Sequence, residues 1–304
     1  MNILGKRYIF FVLSLLIIIP GLVLLFAGGV PLSVDFTGGS LLEVSFSSAT
    51  PQPGDILAVY EEANIQDVQV QTSETGSFII RSQFLDNDQR DEVLAALRQE
   101  IGEVEVVRFD SVGPSIGEQV TSRGAVAVAV SSILVVLFIA WSFRGVQNAF
   151  RYGVCAILAM IHDVGIIFAM TGFGAWLFGW EIDSLFLTAL LTVIGFSMQD
   201  TIVVFDRIRE NSNIYRRLDF ETLVNHSIVQ TLQRSINTQL MTVEFLLLAL
   251  VMFGGVTLQE FASILLIGLL SGTYSSIFIA APILVLWEKK EWQTWFKRTD
   301  QARA

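Results

Sequence analysis

The stretch SVDFTGGSLLEVSF, Ser33 to Phe46, decides how the chain is divided. Upstream of it lies an apolar run, Tyr8 to Gly28, long enough to cross a bilayer, since a spanning helix needs about 20 apolar residues. From Gly39 onward the pattern becomes an alternation that puts Leu42, Val44 and Phe46 on one face, the period of a half-buried strand. Between these two regimes sit an acid, Asp35, and a glycine pair, Gly38 and Gly39. Glycine accepts backbone angles closed to other residues, so the pair lets the chain turn sharply as it leaves the bilayer and enters a sheet. A membrane segment therefore gives way directly to a folded domain.

Working outward, the composition agrees. With 53% hydrophobic and only 16% charged residues, and a mean hydropathy of +0.60, the chain is far more apolar than a soluble domain, in which about a quarter of residues are charged. Six segments are long and apolar enough to span: Tyr8 to Gly28, Gly124 to Phe143, Tyr152 to Phe178, Leu185 to Phe205, Ile236 to Phe253 and Phe261 to Trp287. The first lacks a small-residue cleavage site before Pro31, so it reads as an uncleaved anchor.

Charge orients the spans. Lys6, Arg7, Arg144, Arg151, Arg207, Arg209, Arg216, Arg217, Arg234, Lys289, Lys290, Lys297, Arg298 and Arg303 fall on one side, which the positive-inside rule makes the cytoplasm. Of the 19 basic residues, five remain outside, where the segment from Asp35 to Glu118 carries sixteen acids. Both termini are expected inside. The acidic outer segment disfavours nucleic acid as a partner, because that needs clustered Lys and Arg, so no nucleic acid is expected and the segment reads as a solubilising surface. This organisation gives 1–29 as the N-terminus and first span, 30–122 as the outer domain, 123–288 as the remaining spans with a cytoplasmic segment at 206–235, and 289–304 as a cytoplasmic tail.

The outer segment reads as strand, helix, strand, strand, helix, strand. The elements are Gly39 to Phe46, Pro53 to Ala63, Asp67 to Gln71, Phe78 to Gln83, Asn87 to Ile101 with Asn87 as its cap, and Glu103 to Phe109. That order is the split βαβ, or ferredoxin-like, pattern. The expected fold is thus a polytopic α-helical membrane protein of six transmembrane helices, with an extracytoplasmic α+β ferredoxin-like domain between helices 1 and 2. The polar segment Asp206 to Gln233, with Leu218, Phe220, Leu223, Val224, Ile228 and Val229 scattered through it, suits an amphipathic helix on the inner surface or against a partner.

Chemistry is concentrated in the membrane part. Cys155 is a lone small hydrophobe within the third span, and His162 and His226 are too few for a metal site, so neither metal nor cofactor is expected. Asp200, in GFSMQDTIVVFDRIREN (Gly195 to Asn211), lies about one and a half turns inside the fourth span. An acid there costs a few kcal/mol, ~3, unless it pairs or works. It either snorkels structurally or carries a proton, since a carboxylate between desolvation and a movable cation can load and release one. Asp163, in IHDVG, and Glu244, in TVEFLLL, are further candidates for proton handling or packing. Arg234, in TLQRSINT, is the natural partner cation or, alternatively, an interfacial anchor. Gly268 and Gly272 stand at GxxxG spacing in the sixth span, with Ser271, Ser275 and Ser276 nearby, the composition of a helix contact in a membrane.

Together, VDFTGG after the first span, VGPSIGEQV from Val112 to Val120, IHDVG in the third span, DTIVVFDRIREN from Asp200 and RSINT from Arg234 resemble the SecF members of the SecD/SecF protein-export family, relatives of the resistance-nodulation-division exporters. The resemblance covers almost the whole chain. It implies a bacterial plasma (inner) membrane location, coupling of proton flow to movement of the outer domain, and promotion of preprotein translocation through a SecYEG-like channel beside a SecD-like subunit. Protons and membrane lipids are the remaining partners it implies. Asp200 and Arg234 match the family's proton-relay positions, and Asp35, Gly38 and Gly39 belong to its structural motif, with Asp35 as a cap or turn residue. Gln199 replaces the family's usual asparagine, keeping the amide but displacing it by one methylene, and Glu244 stands in a stretch the family keeps apolar. The chain ends soon after the sixth span, so the partner is expected as a separate polypeptide.

Three other classes compete. A proton-coupled exporter of small molecules or lipids would share the superfamily, but so small an outer domain leaves little room for a substrate pocket. An intramembrane hydrolase would need a paired catalytic motif such as HExxH, which the sequence does not contain. A passive assembly subunit, with all proton chemistry in its partner, differs from the first reading only in its response to a proton gradient.

Overall fold

The computed structural model describes residues 3–47, 51–73, 76–144, 148–239, 245–254, 256–291 and 293. The chain divides into two compact units, Leu32–Val126 and the combination of Met1–Pro31 with Ala127–Ala304.

The smaller unit opens with a single helical turn, α2 (Val34–Thr37), and continues through β1 (Gly39–Phe46), α3 (Pro53–Glu62), β2 (Gln69–Thr72), β3 (Phe78–Ser82), α4 (Asn87–Glu100) and β4 (Val104–Val112). Its four strands lie in the order β2-β3-β1-β4, and every neighbouring pair is antiparallel. β1 and β2 therefore run in the same direction with β3 between them. Alternation along β1 and β3 turns Leu42, Val44, Phe78 and Ile80 inward, where they meet Ile56, Val59 and Tyr60 of α3 and Val93, Leu94 and Leu97 of α4. The cap of α4 is Asp86, not Asn87. The Gln89 N–H donates to Asp86 Oδ1 at 2.8 Å and the Asp86 N–H to Gln89 Oε1 at 3.1 Å. Asp86, with ψ near 178°, is extended and can turn its carboxylate back onto the first turn, whereas Asn87 is already helical.

The glycine pair has two jobs. Gly38 and Gly39 have φ of +71° and +108°, the left-handed region where only glycine is unstrained. A Cβ at Gly39 would also lie 2.7 Å from the Ser82 carbonyl oxygen, and one at Gly117 would lie 2.8 Å from the Gly38 nitrogen. The VDFTGG and VGPSIG segments thus pack backbone against backbone, and the Thr121 hydroxyl lies 3.2 Å from the Phe36 carbonyl oxygen.

The larger unit is helical. With α5 (Pro114–Ser142), which begins in the smaller unit, five stretches are long and apolar enough to cross a membrane among the described residues: Leu4–Ala27, Pro114–Ser142, Ala149–Phe178, Ser184–Ile214 and Leu258–Lys289. They contain α1 (Arg7–Ala27), α5, α6 (Ala149–Phe178) and α7 (Ser184–Ile214). The last combines α10 (Val256–Ser275), a π-turn at Ser276–Ala280 and α11 (Ala281–Lys289). Pro282, two residues after the π-turn ends, has no N–H to give to the regular ladder.

Six spans were expected, and five of them are found among the described residues. The described parts of the expected Ile236 to Phe253 span belong to α8 (Phe220–Gln239) and α9 (Phe245–Phe253), and residues 240–244 lie outside the described residues. α7 also continues well past Phe205. Its polar end is helical because Asp206 with Arg209, and Arg207 with Glu210, pair one turn apart. α8 folds back onto α7 and buries Leu223, Val224 and Ile228 against Val204, Phe205 and Ile208, leaving Leu218 and Val229 exposed. Asn211 ties the two helices through Ser227 at 2.8 Å.

Close helix contacts rest on small residues. A Cβ at Gly172 of α6 would lie 2.2 Å from the Gly21 carbonyl oxygen of α1. In α10, Gly268 faces Val193 of α7, and Gly272 faces the Ser197 backbone, with a Cβ only 3.1 Å from its Cα. Without a hydrophobic drive between helices in lipid, such backbone approach supplies much of the packing energy. At one end of the unit, Arg7 bridges Glu221 at 3.1 Å and Glu291 at 2.5 Å, and Lys289 bridges Glu221 at 2.6 Å. The Lys289 hydrogen bond, aided by Arg7, holds the Glu221 carboxyl below its usual range.

Candidate functional site

Two buried carboxylates occupy the interior of the helical unit. Asp200, on α7, is 5% exposed. Its Oδ2 accepts from Gln239 Nε2 of α8 at 3.1 Å and from Thr273 Oγ1 of α10 at 3.2 Å. The acid is therefore held by donors that are neutral, by two helices besides its own. Thr201 and Ser235, the residues following Asp200 and Arg234, each bury a hydroxyl that has no hydrogen-bond partner among the described residues.

Arg234, on α8, does not close on Asp200. Among the described residues the two make no ion pair or hydrogen bond, and the Arg234 side chain is exposed. It lines a groove of about 540 Å³ with Gln199 and Gly195 of α7 and Leu134, Val135 and Phe138 of α5. Gln199 is exposed there as well, so the residues on either side of the α7 backbone differ: the amide faces the groove and Asp200 faces inward.

Asp163, at the middle of α6, is 1% exposed and more completely surrounded than Asp200. Its Oδ2 accepts from Ser197 of α7 at 2.5 Å and from Ser275 of α10 at 2.6 Å. Its Oδ1 accepts from Ser271 at 2.7 Å and lies 3.0 Å from His162 Nδ1. α10 therefore serves both acids, with Ser271 and Ser275 on one side and Thr273 on the other. Neither Thr273 nor Gln239 was singled out from the sequence, although Thr273 lies inside the small-residue run that was. Glu244 lies outside the described residues. Asp35 is part of α2 in the smaller unit, where its N–H donates to Ser33 Oγ at 3.2 Å. Among the described residues no group of three His, Cys, Asp or Glu side chains is placed to hold a metal ion, and Cys155 is buried.

Residues 92–290 match the family described as protein export membrane protein SecD/SecF, C-terminal, and residues 23–50 match the SecD/SecF GG motif. The protein translocase subunit SecF of Anaerolinea thermophila is 60% identical over 300 residues, covering 98% of this chain and 97% of that one. The SecDF subunit of Thermus thermophilus is 36% identical over 277 residues, which are 87% of this chain and 35% of SecDF. The crystal structure of the Thermus SecDF superposes with a TM-score of 0.79 at 32% identity, covering 95% of this chain and 39% of SecDF.

Proposed function

The chain belongs to the SecD/SecF family of protein-export membrane proteins, and from that premise we propose that it couples proton flow across the inner membrane to movement of an extracytoplasmic domain that promotes preprotein translocation. It is a SecF-type accessory subunit of the protein translocase, an inner-membrane protein and not a catalytic enzyme. The observation that carries the coupling is Asp200, buried between three helices on neutral hydrogen bonds while Arg234 stands exposed on the neighbouring groove. A carboxylate so placed binds a proton readily when the cation is away and gives it up when the cation approaches, because an opposite charge favours the ionised form.

The outer domain, read as ferredoxin-like from its split βαβ strand order, is the moving part, and the sixth span completes the membrane unit. A SecD-like subunit is the first partner, as the fused SecDF chains suggest. The groove that exposes Gln199 and Arg234 is where its helices would complete the relay. A SecYEG-like channel and the emerging preprotein are the further partners. Translocation into vesicles bearing the chain and its SecD-like partner is expected to accelerate only while a proton gradient is maintained. Equal acceleration after the gradient is collapsed would refute the coupling and leave a passive assembly role.

The orientation follows the charge asymmetry: both termini and the α7–α8 turn are cytoplasmic, and the smaller unit is outside. Cysteines introduced singly at Gly76 and Asn213, in a Cys155→Ala background, are expected to react with an impermeant thiol reagent from the outer and inner faces respectively. Reaction of both from one face would overturn this arrangement.

A further inference from the structure

Beyond Asp200, the structure holds a second titratable assembly that reaches a different helix. His162, on α6, puts Nδ1 on Asp163 and Nε2 2.9 Å from Ser14 Oγ of α1. Ser14 Oγ lies 3.3 Å from Tyr274 Oη of α10, and Tyr274 donates to the Phe10 carbonyl oxygen of α1 at 3.0 Å. The His162 and Tyr274 rings are stacked, with centroids 6.0 Å apart. His162 is 9% exposed at its side chain and Asp163 1%.

Counting protons separates two states of this chain of contacts. A carboxylate has about four lone-pair sites, and the three serine hydroxyls and His162 Nδ1 stand at them, with the Ser275 hydroxyl also 3.1 Å from the Gly272 carbonyl oxygen. From Nε2 onward there are three links: imidazole to Ser14, Ser14 to Tyr274, and Tyr274 to the Phe10 carbonyl. A neutral ring carrying its proton on Nδ1 leaves only the Ser14 and Tyr274 protons to make those three links, so one is always broken. A proton added at Nε2 makes all three. Nε2–H then donates to Ser14, Ser14 turns its proton from the ring to Tyr274, and Tyr274 keeps its proton on Phe10. One proton is bound and none is displaced.

We propose that His162 and Asp163 form a second proton-holding site, and that its loading completes the hydrogen-bonded tie between α1 and α10. The groups facing the pair are Ser14 from α1, Ser197 from α7, and Ser271, Tyr274 and Ser275 from α10, with the Phe10 carbonyl of α1 behind Tyr274. Among the described residues no other charged side chain is hydrogen-bonded or ion-paired to it. Since α10 also carries Thr273 against Asp200, a proton at His162 alters the helix that holds the other acid. The site does not require Asp200 to carry protons, because its contacts are complete without it.

The chain has only two histidines, which makes the test direct. In the full chain with His226→Gln, reconstituted in bilayers with isotope-labelled histidine, magnetic resonance reads the protonation of both His162 ring nitrogens. The ring is expected to convert between singly and doubly protonated forms over the pH range in which histidine switches. The labelled Tyr274 signal, assigned through Tyr274→Phe, should move at the same midpoint. Asp163→Asn should lower the ratio of doubly to singly protonated ring by about tenfold or more at fixed pH, because the opposite charge is removed. Asp200→Asn should leave the conversion in place, so failure here is separable from failure of the Asp200 relay. A ring that stays in one form throughout the range, or a Tyr274 signal that does not follow it, would overturn the proposal.

Discussion

Asp200→Asn is expected to abolish gradient-dependent export while leaving insertion and assembly intact. The amide keeps the size of the carboxylate, and its oxygen can still accept from Gln239 and Thr273, so the α7–α8–α10 contact survives. What it cannot do is bind and release a proton. One charge moving through 100 mV supplies about 2.3 kcal/mol, a bias of about 50-fold in a two-state equilibrium, and that bias is what the variant should lose. Export should fall to the rate seen without a gradient, at normal levels of the protein in the membrane and normal recovery of its SecD-like partner. Wild-type, gradient-dependent rates in the asparagine variant would reduce Asp200 to a packing residue and remove the relay from this chain.

Arg234→Lys is expected to lose most proton-dependent export while retaining complex assembly, with Arg234→Ala at least as severe. The lysine variant separates two roles. An interfacial anchor tolerates lysine, because both side chains carry a charge on a long apolar stem. A switchable partner of a carboxylate does not, because a compact ammonium cannot reproduce the planar, two-pronged contact of a guanidinium. Arg234 stands exposed on the groove, unpaired with Asp200, so the pair has to form by movement of the helices or through the SecD-like subunit. Full activity with lysine would leave the anchoring role standing and refute the paired relay.

The sequence by itself determined the elements and their order. Span length and hydropathy are local quantities, so five of the six expected membrane segments were legible, and the other, Ile236 to Phe253, runs through residues 240–244, outside the described residues. Alternation and caps are also local, which is why β1 was readable to the residue and α4 to within one position of its cap. The acids could be named as well, since a carboxylate in an apolar run is conspicuous wherever it finally points. Which acid has which neighbours was decided only by the tertiary structure. The serines on Asp163 come from positions 34, 108 and 112 residues away, Thr273 reaches Asp200 from 73 away, and Ser14 meets His162 across 148. Hydroxyls like these are unremarkable in sequence, because a serine facing lipid and a serine facing a buried carboxylate have the same local pattern. Only the crossing of helices, brought close at Gly21 with Gly172 and at Gly272 with Ser197, turns them into donors.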